Sequence, residues 1–468
     1  MCAAAGCGRL RFDPIADADV AADAIADAPR VPVAGLFGAF YSEQFTFAMP
    51  LQLLFADVTP TSDGGWAVTG FGPQNGTSAA LRVAKLGPTG DVTWMMAALG
   101  SVAAGGARVR QLGDGSYVVL AQDIGNAPVR VLVGADGHLV SYQSSTGLGS
   151  PGEMPGDASF FVHGGLAGDA TLARFDATGA IVWSKVYATA NSDAIVATQL
   201  APDGSVVACG YFDNALPSSV SPTVLKLASD GSITWQATLI DTSGATSAAF
   251  SSVAAAPDGG VVVTGLTIAG SVQTTVVAKL DATGALGWQH ALTTGVGGPQ
   301  GLRLDGSLLV TADGGILLGG SFNQDVAVGD PANSFRAVVV RLRPDGALAW
   351  AQQYEVLPGA NPSDRWHAIM GPLRAVGDGG VVLAGIINLF SGGGIQPFVL
   401  KLDPADGVLA PISSPFALLS IDPGTYAQTA SPVIGVGGGG GSFNTATTAT
   451  PADWNDFAQY DSVLHLTP

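Results

Sequence analysis

Short apolar runs alternate with glycine-containing turns along most of the chain. In residues 253–288, Asp258-Gly259 separates the first apolar run from the second, and Thr283-Gly284 separates the third from the fourth. Asp-Gly tolerates positive φ at both turn positions, so it is typical of a two-residue β-hairpin loop. Each such unit therefore predicts four short antiparallel β-strands.

The same order of runs and turns recurs in seven copies. The glycine of the second turn identifies each copy, and these glycines are 42 to 62 residues apart: Gly90, Gly137, Gly179, Gly231, Gly284, Gly346 and Gly407. Four short strands at this period predict the blades of a β-propeller. The sequence therefore predicts an all-β protein built as a single closed propeller.

A tryptophan follows the second-turn glycine by four residues in five copies, which places it on the outermost strand of its blade. The five are Trp94, Trp183, Trp235, Trp288 and Trp350. A buried indole needs a partner for its N–H, and the turn of the neighbouring blade offers carbonyl groups. We predict a structural docking role for these side chains and no ligand-stacking role.

The run from Leu280 to Trp288, Leu-Asp-Ala-Thr-Gly-x-x-x-Trp, resembles the tryptophan-docking repeats of quinoprotein-type propellers. The fuller motif, Asp-Gly-Gly-apolar-Gly followed by Lys-Leu-Asp, is similar to bacterial β-propeller repeats of secreted and surface proteins. The resemblance covers residues 52–412 and concerns turn and packing residues, so it implies fold more than function. Quinoprotein dehydrogenases usually carry an adjacent disulfide-bonded cysteine pair, whereas the cysteines here are Cys2, Cys7 and Cys209. No cofactor is predicted.

The number of blades depends on how residues 413–468 are used. Tyr426–Val436 and Asp461–Leu466 have β-type patterns, and Phe40–Phe45 resembles an outer strand that lacks a preceding partner. We predict eight four-stranded blades, the last one combining three C-terminal strands with one N-terminal strand. The alternative is seven blades with residues 413–468 wrapping outside the ring.

The N-terminal segment predicts a lipid anchor. Ala4-Ala5-Gly6-Cys7 resembles the end of a bacterial lipoprotein signal, which implies Cys7 as the attachment site. Residues 13–30 are almost entirely Ala and Asp, a composition that does not fold by itself and is typical of a tether. Because only six residues precede Cys7, we expect the natural start to lie further upstream. An ordinary cytosolic start is the alternative.

These features divide the chain into residues 1–30, a signal remnant and disordered tether, and residues 31–468, the propeller domain. With lipid attachment we expect a location at the cell surface or outer membrane. The alternative is a secreted or periplasmic protein.

Charge and composition narrow the partners. Lys and Arg number 19 and Asp and Glu 37, and the formal net charge of −18 argues against nucleic acid or an anionic membrane surface as a partner. No uninterrupted run of 18 apolar residues is present, so no spanning helix is expected. We expect membrane contact only through the lipid, and a monomeric protein.

Candidate chemistry is sparse. The five histidines show no metal-binding spacing, and His163 lies in a strand-like run typical of packing. No catalytic motif or metal site is predicted. Trp366, His367 and Trp454 lie outside the repeat template in apparent loops, so they are the candidates for a ligand-facing role.

The function favoured by these observations is a non-enzymatic cell-surface module that binds a protein or a glycan, or serves as a scaffold. The alternative is an extracellular enzyme, acting on polysaccharides or on a quinoprotein-like redox substrate, with its site in the axial funnel. The polar side chains of the axial channel distinguish the two, because convergent charged groups with shifted pKa values favour an enzyme.

Overall fold

β-strands and tight turns make up the described residues, which contain no helix. In the computed structural model these residues are 36–42, 54–74, 78–98, 105–122, 127–146, 149–166, 168–214, 222–241, 247–269, 272–294, 302–323, 335–354, 365–389, 394–409, 413–415, 419–423, 426–429, 435–438, 442–444, 454–455 and 462–466. All of them belong to one compact unit, Val33–Pro468. Cys7 and the Ala/Asp-rich segment 13–30 lie outside the described residues.

The described strands form seven antiparallel blades arranged in a ring. Successive innermost strands contact one another around a central axis, except between blades 3 and 4, where the second strand of blade 3 contacts the innermost strand of blade 4. The innermost strands of blades 1 to 7 are β2 (Leu54–Pro60), β6 (Gly105–Gln111), β10 (Ser150–Pro151), β14 (Ser192–Leu200), β18 (Ser247–Ala255), β22 (Leu302–Val310) and β26 (Arg365–Ala375).

The second and third strands follow outward in each blade. The second strands are β3 (Trp66–Gln74), β7 (Tyr117–Gln122), β11 (Phe160–Leu166), β15 (Val206–Asn214), β19 (Val261–Ala269), β23 (Ile316–Asn323) and β27 (Val381–Leu389). The third strands are β4 (Ser78–Leu86), β8 (Pro128–Val133), β12 (Asp169–Phe175), β16 (Pro222–Leu227), β20 (Val272–Leu280), β24 (Phe335–Leu342) and β28 (Gly394–Leu402).

The fourth strand comes from the same repeat in blades 1 to 6 and from the N-terminus in blade 7. The six local strands are β5 (Val92–Ala98), β9 (Leu139–Thr146), β13 (Ile181–Ala188), β17 (Ile233–Asp241), β21 (Leu286–Thr294) and β25 (Leu348–Tyr354). In blade 7, β1 (Phe37–Ser42) pairs antiparallel with β28, with Phe37 opposite Lys401. The prediction that an N-terminal strand completes the last blade is confirmed, but the other three strands of that blade come from residues 365–402 and not from the C-terminal segment.

The prediction of eight blades is wrong, and the alternative of seven is confirmed. Residues 403–409 follow the third strand of blade 7 without forming a fourth strand, so that blade has a free edge which β1 fills. The C-terminal strands are two to five residues long and pair with seven different blades, so they do not form a blade of their own.

The C-terminal segment instead adds a fifth, outermost strand to each blade. We call it the C-terminal belt. It runs backwards around the ring from blade 6 to blade 1 and ends at blade 7, where β35 pairs with β1. Its strands are β29 (Ser413–Pro415), β30 (Leu419–Pro423), β31 (Tyr426–Thr429), β32 (Gly435–Gly438), β33 (Ser442–Asn444), β34 (Trp454–Asn455) and β35 (Ser462–Leu466).

An ion-paired turn explains the Asp-Gly and Lys-Leu motifs of the repeat. In blade 5 the Asp258 carboxylate accepts a hydrogen bond from the Gly260 N–H at 3.0 Å, and Gly259 has a φ of +82°. Lys279 on the third strand donates to the same carboxylate at 2.5 Å. The equivalent pairs are Asp63–Lys85, Asp157–Arg174, Asp203–Lys226, Asp313–Arg341 and Asp378–Lys401.

Apolar side chains of neighbouring blades pack together to form the core. One cluster joins Trp66 and Val68 of blade 1 to Val382 and Val399 of blade 7. Because the first and last blades share a core, the ring is closed by packing as well as by β1.

Candidate functional site

A cavity of about 1010 Å³ lies where the innermost strands meet; we call it the axial cavity. Its wall includes Arg108 of blade 2, Glu153 of blade 3, Ala197 of blade 4, Ser252 of blade 5 and Arg374 of blade 7. The cavity is therefore lined by side chains that come from distant parts of the sequence.

β-bulges in the innermost strands place residues at this wall. The pairing register shifts between Gly105 and Arg108, between Ile195 and Ala197, and between Phe250 and Ser252. A bulge bends the strand and changes the direction of its side chains.

Glycines on the second strands allow the bulged innermost strands to lie close to them. A Cβ at Gly265 would overlap the carbonyl oxygen of Ala249, and one at Gly210 would overlap that of Ala194. The last glycine of the Asp-Gly-Gly-apolar-Gly motif is therefore required by close contact between strands.

Behind one side of the cavity, Asp57 links three consecutive blades. Its carboxylate accepts hydrogen bonds from Val58 N–H of its own blade at 3.0 Å and from Val109 N–H of blade 2 at 3.1 Å. Arg110 of blade 2 donates to it at 3.3 Å, and Arg374 of blade 7 donates at 3.2 and 3.3 Å. Asp57 is fully buried, with 0% exposure. The carboxylate thus joins the last blade to the first two.

The arginines determine the charge state of Asp57. Burial by itself would raise the pKa of Asp57, but Arg374, Arg110, Arg108 and the Val109 N–H together hold it below its usual value. Burial in turn lowers the pKa of Arg110 to about 10, and it also lowers the pKa of Arg108. At neutral pH the carboxylate is ionised and both guanidinium groups remain charged.

Glu153 carries the second carboxyl group of this region and lines the cavity. Its Oε2 accepts a hydrogen bond from the Leu200 N–H of blade 4 at 2.6 Å. Burial raises the pKa of Glu153, although Arg374, the Leu200 N–H, Arg110 and Arg108 act in the opposite direction. The side chain thus ties two innermost strands together and presents a carboxyl group that accepts a proton more readily than an exposed glutamate does.

His163 reaches the cavity from a second strand because the innermost strand of blade 3 is only two residues long. It lies opposite Ser150 in the pairing of β10 and β11. Burial and the nearby charge of Arg108 lower the pKa of His163 to about 4. The imidazole is therefore neutral at pH 7. The sequence predicted a packing role for His163, whereas the structure places it at the cavity wall.

The wall contributed by blades 4 to 6 has a different chemistry. It contains apolar and small hydroxyl side chains, which include Val196, Thr198, Ser252, Leu308 and Leu309. Val196 is 39% exposed although it lies on an innermost strand. The axial cavity therefore has a charged side, formed by blades 2, 3 and 7, and a largely uncharged side.

The five repeat tryptophans lie far from this cavity, on the fourth strands. Trp235 of blade 4 donates from Nε1 to the Ala282 carbonyl of blade 5 at 3.0 Å. A Cβ on Gly284, also of blade 5, would come within 2.7 Å of the Trp235 ring. The other donor–acceptor pairs are Trp94–Ala135, Trp183–Ser229, Trp288–Pro344 and Trp350–Pro404. The second-turn glycine therefore supplies both a positive φ and room for the indole of the preceding blade.

Where a docking tryptophan is missing, another side chain donates to the equivalent carbonyl of the second turn. Arg130 donates to the Ala177 carbonyl of blade 3, and Trp66 Nε1 donates to the Pro88 carbonyl of its own blade at 3.3 Å. In blade 7, the register position of the tryptophan belongs to Phe37 of the N-terminal strand.

The aromatic residues expected in loops are placed in strands. Trp366 and His367 lie near the start of β26, the innermost strand of blade 7, where Trp366 pairs with Asn388 and also bridges to Phe335 of blade 6. Trp454 lies in β34 of the C-terminal belt, opposite Ala98. The expected loop positions are therefore wrong, and a ligand-facing role for these residues stays a prediction.

Sequence analysis missed the charged residues at the axis, although their spacing from the first turn identifies them. Three of them stand four residues before the turn aspartate of their blade, namely Arg110, Glu153 and Arg374, and the uncharged Gln199 of blade 4 has the same spacing. Asp57 and Arg108 both stand six residues before it. Alignment of the seven copies on their turns reveals long polar side chains at positions that hold apolar or small hydroxyl residues in other blades.

Two further features are absent from the part of the chain that the structure describes. Among them, no group of three or more His, Cys, Asp or Glu side chains is placed to hold a metal ion. No helix in the same residues is long and apolar enough to span a membrane.

Among known proteins, a β-propeller family model matches part of the chain. A family model described as "Domain of unknown function (DUF5122) beta-propeller" matches residues 311–348, which include both turns and the second and third strands of blade 6. The search of curated proteins finds no match.

Similar solved structures include a protein of unknown function from Dyadobacter fermentans, 14% identical, covering 79% of this chain and 100% of that one, with a TM-score of 0.42. The Dos1 propeller is 12% identical over 74% of this chain and 78% of its own, with a TM-score of 0.40. The β-propeller domain of the Trilobed protease from Pyrococcus furiosus is 9% identical over 78% and 99%, with a TM-score of 0.41.

Proposed function

We propose that the protein is a non-enzymatic binding propeller whose ligand occupies the axial cavity. The observation that carries this proposal is the cavity itself, about 1010 Å³ in volume and enclosed by side chains from six blades. Ligand sites in proteins measure roughly 300–1,000 Å³ and combine apolar surface with a few polar groups. A small molecule or the end of a glycan matches this size, whereas a folded protein does not.

The charged groups that converge on the cavity and have shifted pKa values meet the criterion given above for an enzyme, but the hydrogen bonds of this side favour binding over catalysis. Asp57 is saturated by its four neighbours and lies behind the wall. Glu153 is engaged with the Leu200 N–H, which holds blades 3 and 4 together. These carboxylates serve the architecture of the ring first, and they leave a preformed cavity with fixed charges.

A hydrolase is the second candidate, and one observation favours it. Glu153, whose pKa burial raises, shares the cavity wall with the neutral imidazole of His163. A carboxyl group with a raised pKa is suited to act as a general acid. Turnover of a glycan substrate that Glu153→Gln abolishes, with ligand affinity retained, would establish this candidate in place of the first.

A ligand screen with a cavity-blocking variant tests the binding proposal. Residues 31–468 are purified and screened against a glycan array and a small-molecule library by thermal shift. Val196→Trp fills the cavity from a side chain that is already 39% exposed, and Val140→Trp adds the same group at a position 60% exposed on the outer strand β9. We expect to find ligands whose binding is abolished by Val196→Trp and retained by Val140→Trp. Ligands insensitive to Val196→Trp would contradict the axial site.

We also propose that the protein is attached to the cell surface through Cys7. The support is the lipoprotein-like Ala4-Ala5-Gly6-Cys7 segment and the Ala/Asp-rich segment that follows it. Mass spectrometry of the native protein should find an acylated Cys7 at the mature N-terminus. An unmodified Cys7 within an intact N-terminal peptide would refute attachment without affecting the axial site.

A further inference from the structure

The charged side of the axial cavity carries an excess of positive charge. Three guanidinium groups, those of Arg108, Arg110 and Arg374, interact electrostatically with two carboxyl groups, those of Asp57 and Glu153. The surplus is one positive charge when both carboxyl groups are ionised and two when Glu153 is protonated. The whole chain carries −18, so this local sign is opposite to that of the molecule.

Arg108 holds the surplus charge. Its Nη1 donates to the Ala107 carbonyl at 3.1 Å, and its side chain lines the cavity. Among the ion pairs of the described residues, Asp57 pairs with Arg110 and Arg374, whereas none includes Arg108. An arginine without a carboxylate partner, enclosed by a ring of blades, retains donors for an anion that enters the cavity.

Arg374 stands at the same wall with part of its donor capacity used. Its Nε and Nη2 are directed to Asp57, and its side chain is 15% exposed. Because Arg374 shares Asp57 with Arg110, the single carboxylate cannot neutralise both guanidinium groups, and Arg374 still adds positive potential to the cavity. Arg108 and Arg374 therefore define one anion position.

Building on the binding function proposed above, we propose that the ligand is a small molecule with a single carboxylate on an otherwise uncharged body. The carboxylate accepts hydrogen bonds from Arg108 within the positive field of Arg374. The uncharged body lies against the wall of Val196, Ser252 and Leu309. One negative charge balances the surplus of the site, and the planar guanidinium fork matches the two oxygens of a carboxylate.

The test compares ligands that differ only in charge. Glucuronate and glucose share a sugar ring, and hexanoate and hexanol share an alkyl chain. Binding of each to residues 31–468 is measured by titration calorimetry, with glucose 1-phosphate as an anion of higher charge. We expect the carboxylate of at least one pair to bind, its neutral partner to bind at least 10-fold more weakly, and glucose 1-phosphate to bind more weakly than the carboxylate.

Two arginine variants assign the effect. Arg108→Gln should weaken carboxylate binding by about 10- to 100-fold, because hydrogen bonds to charged groups typically contribute that much. Arg343→Gln removes the same group from an exposed turn of blade 6 and should leave affinity unchanged. Thermal melting checks that both variants fold, and Val196→Trp provides a second way to block the site without altering charge.

The outcomes separate this inference from the proposed function. Equal binding of both members of each pair, or unchanged affinity in Arg108→Gln, would overturn the carboxylate inference while the cavity remains a binding site. Tighter binding of glucose 1-phosphate would overturn the choice of a monoanion. A library that yields no ligand sensitive to Val196→Trp would overturn the binding function itself.

Discussion

Replacing Asp57 by Asn should weaken the closure of the ring. The change keeps the size of the side chain and removes its charge, so Arg110 and Arg374 lose their shared counter-ion in a fully buried position. The amide also has only one acceptor oxygen, so it can serve either Val109 N–H or Val58 N–H and meets the other with a donor.

The expected magnitude follows from these contacts. Removal of one partner from a buried ion pair typically costs about 3–5 kcal/mol, because the remaining charge stays buried without compensation. A hydrogen bond to a charged group contributes about 1.5–3 kcal/mol, and two such bonds give a similar total. We therefore expect the free energy of unfolding to fall by about 3–5 kcal/mol.

Asp313→Asn is the matched control. Asp313 also pairs with an arginine, Arg341, but its side chain is 64% exposed compared with 0% for Asp57. Exposed pairs contribute about 0–1 kcal/mol. Guanidinium chloride unfolding of both variants measures the difference, and hydrogen exchange should locate the loss of protection in blades 7, 1 and 2. Equal destabilisation by the two variants would refute the central role of Asp57.

The same residue predicts a dependence on pH. Because the pKa of Asp57 is lower in the folded protein than in an unfolded chain, its contribution to stability is present at neutral pH. That contribution is lost as the pH falls below about 4 and through the folded pKa. Asp57→Asn should lack this component of the acid-dependent loss, and an unchanged profile of unfolding against pH would contradict the assignment.

Three further predictions concern the docking tryptophans, the belt and the cavity. Trp235→Phe should lower the free energy of unfolding by about 1 kcal/mol through the lost hydrogen bond to Ala282, and Gly284→Ala should lower it by more. Double-mutant cycles in urea should show strong coupling between the two changes, because the new Cβ meets the Trp235 ring. Truncation after Leu409 should leave a folded ring, since β1 still closes blade 7. Light scattering should detect self-association through the strand edges that the C-terminal belt no longer covers, and a monomeric truncated protein would contradict this. Affinity for a carboxylate ligand should rise as the pH falls through the raised pKa of Glu153, because protonation removes a negative charge beside Arg108, Arg110 and Arg374. Calorimetry on Glu153→Gln should show no such rise above pH 5, where His163 is neutral.

The outer part of each blade was predictable because its residues interact within one repeat or with the next. The turn aspartate, the basic residue of the third strand and the second-turn glycine recur at fixed spacing, and each has a local physical reason. Trp235 illustrates this, since its hydrogen-bond acceptor is the Ala282 carbonyl in the turn of the next repeat.

The number of blades was not predictable from strand propensity. Segments such as Tyr426–Thr429 and Ser462–Leu466 have β-type sequences, yet nothing in them specifies the strand with which they pair. Loss of the tryptophan is not by itself the signal, since blade 2 lacks it and keeps its fourth strand β9. In blade 7, residues 403–409 after the third strand form no strand, and the edge that remains accepts Phe37 instead. A missing strand in the last copy predicts an N-terminal partner and makes an eighth blade unnecessary.

The axial site depends on departures from the repeat, which explains both why it was missed and what it can do. A ring of identical repeats would bring seven identical side chains to the axis, and seven like charges would repel one another in a site of low polarity. The chain avoids this by varying the position four residues before the turn, so that charges occur only on neighbouring blades and Asp57 lies between Arg374 and Arg110. The positive surplus is therefore confined to one side of the cavity, and a ligand with one charged end can bind in a single orientation.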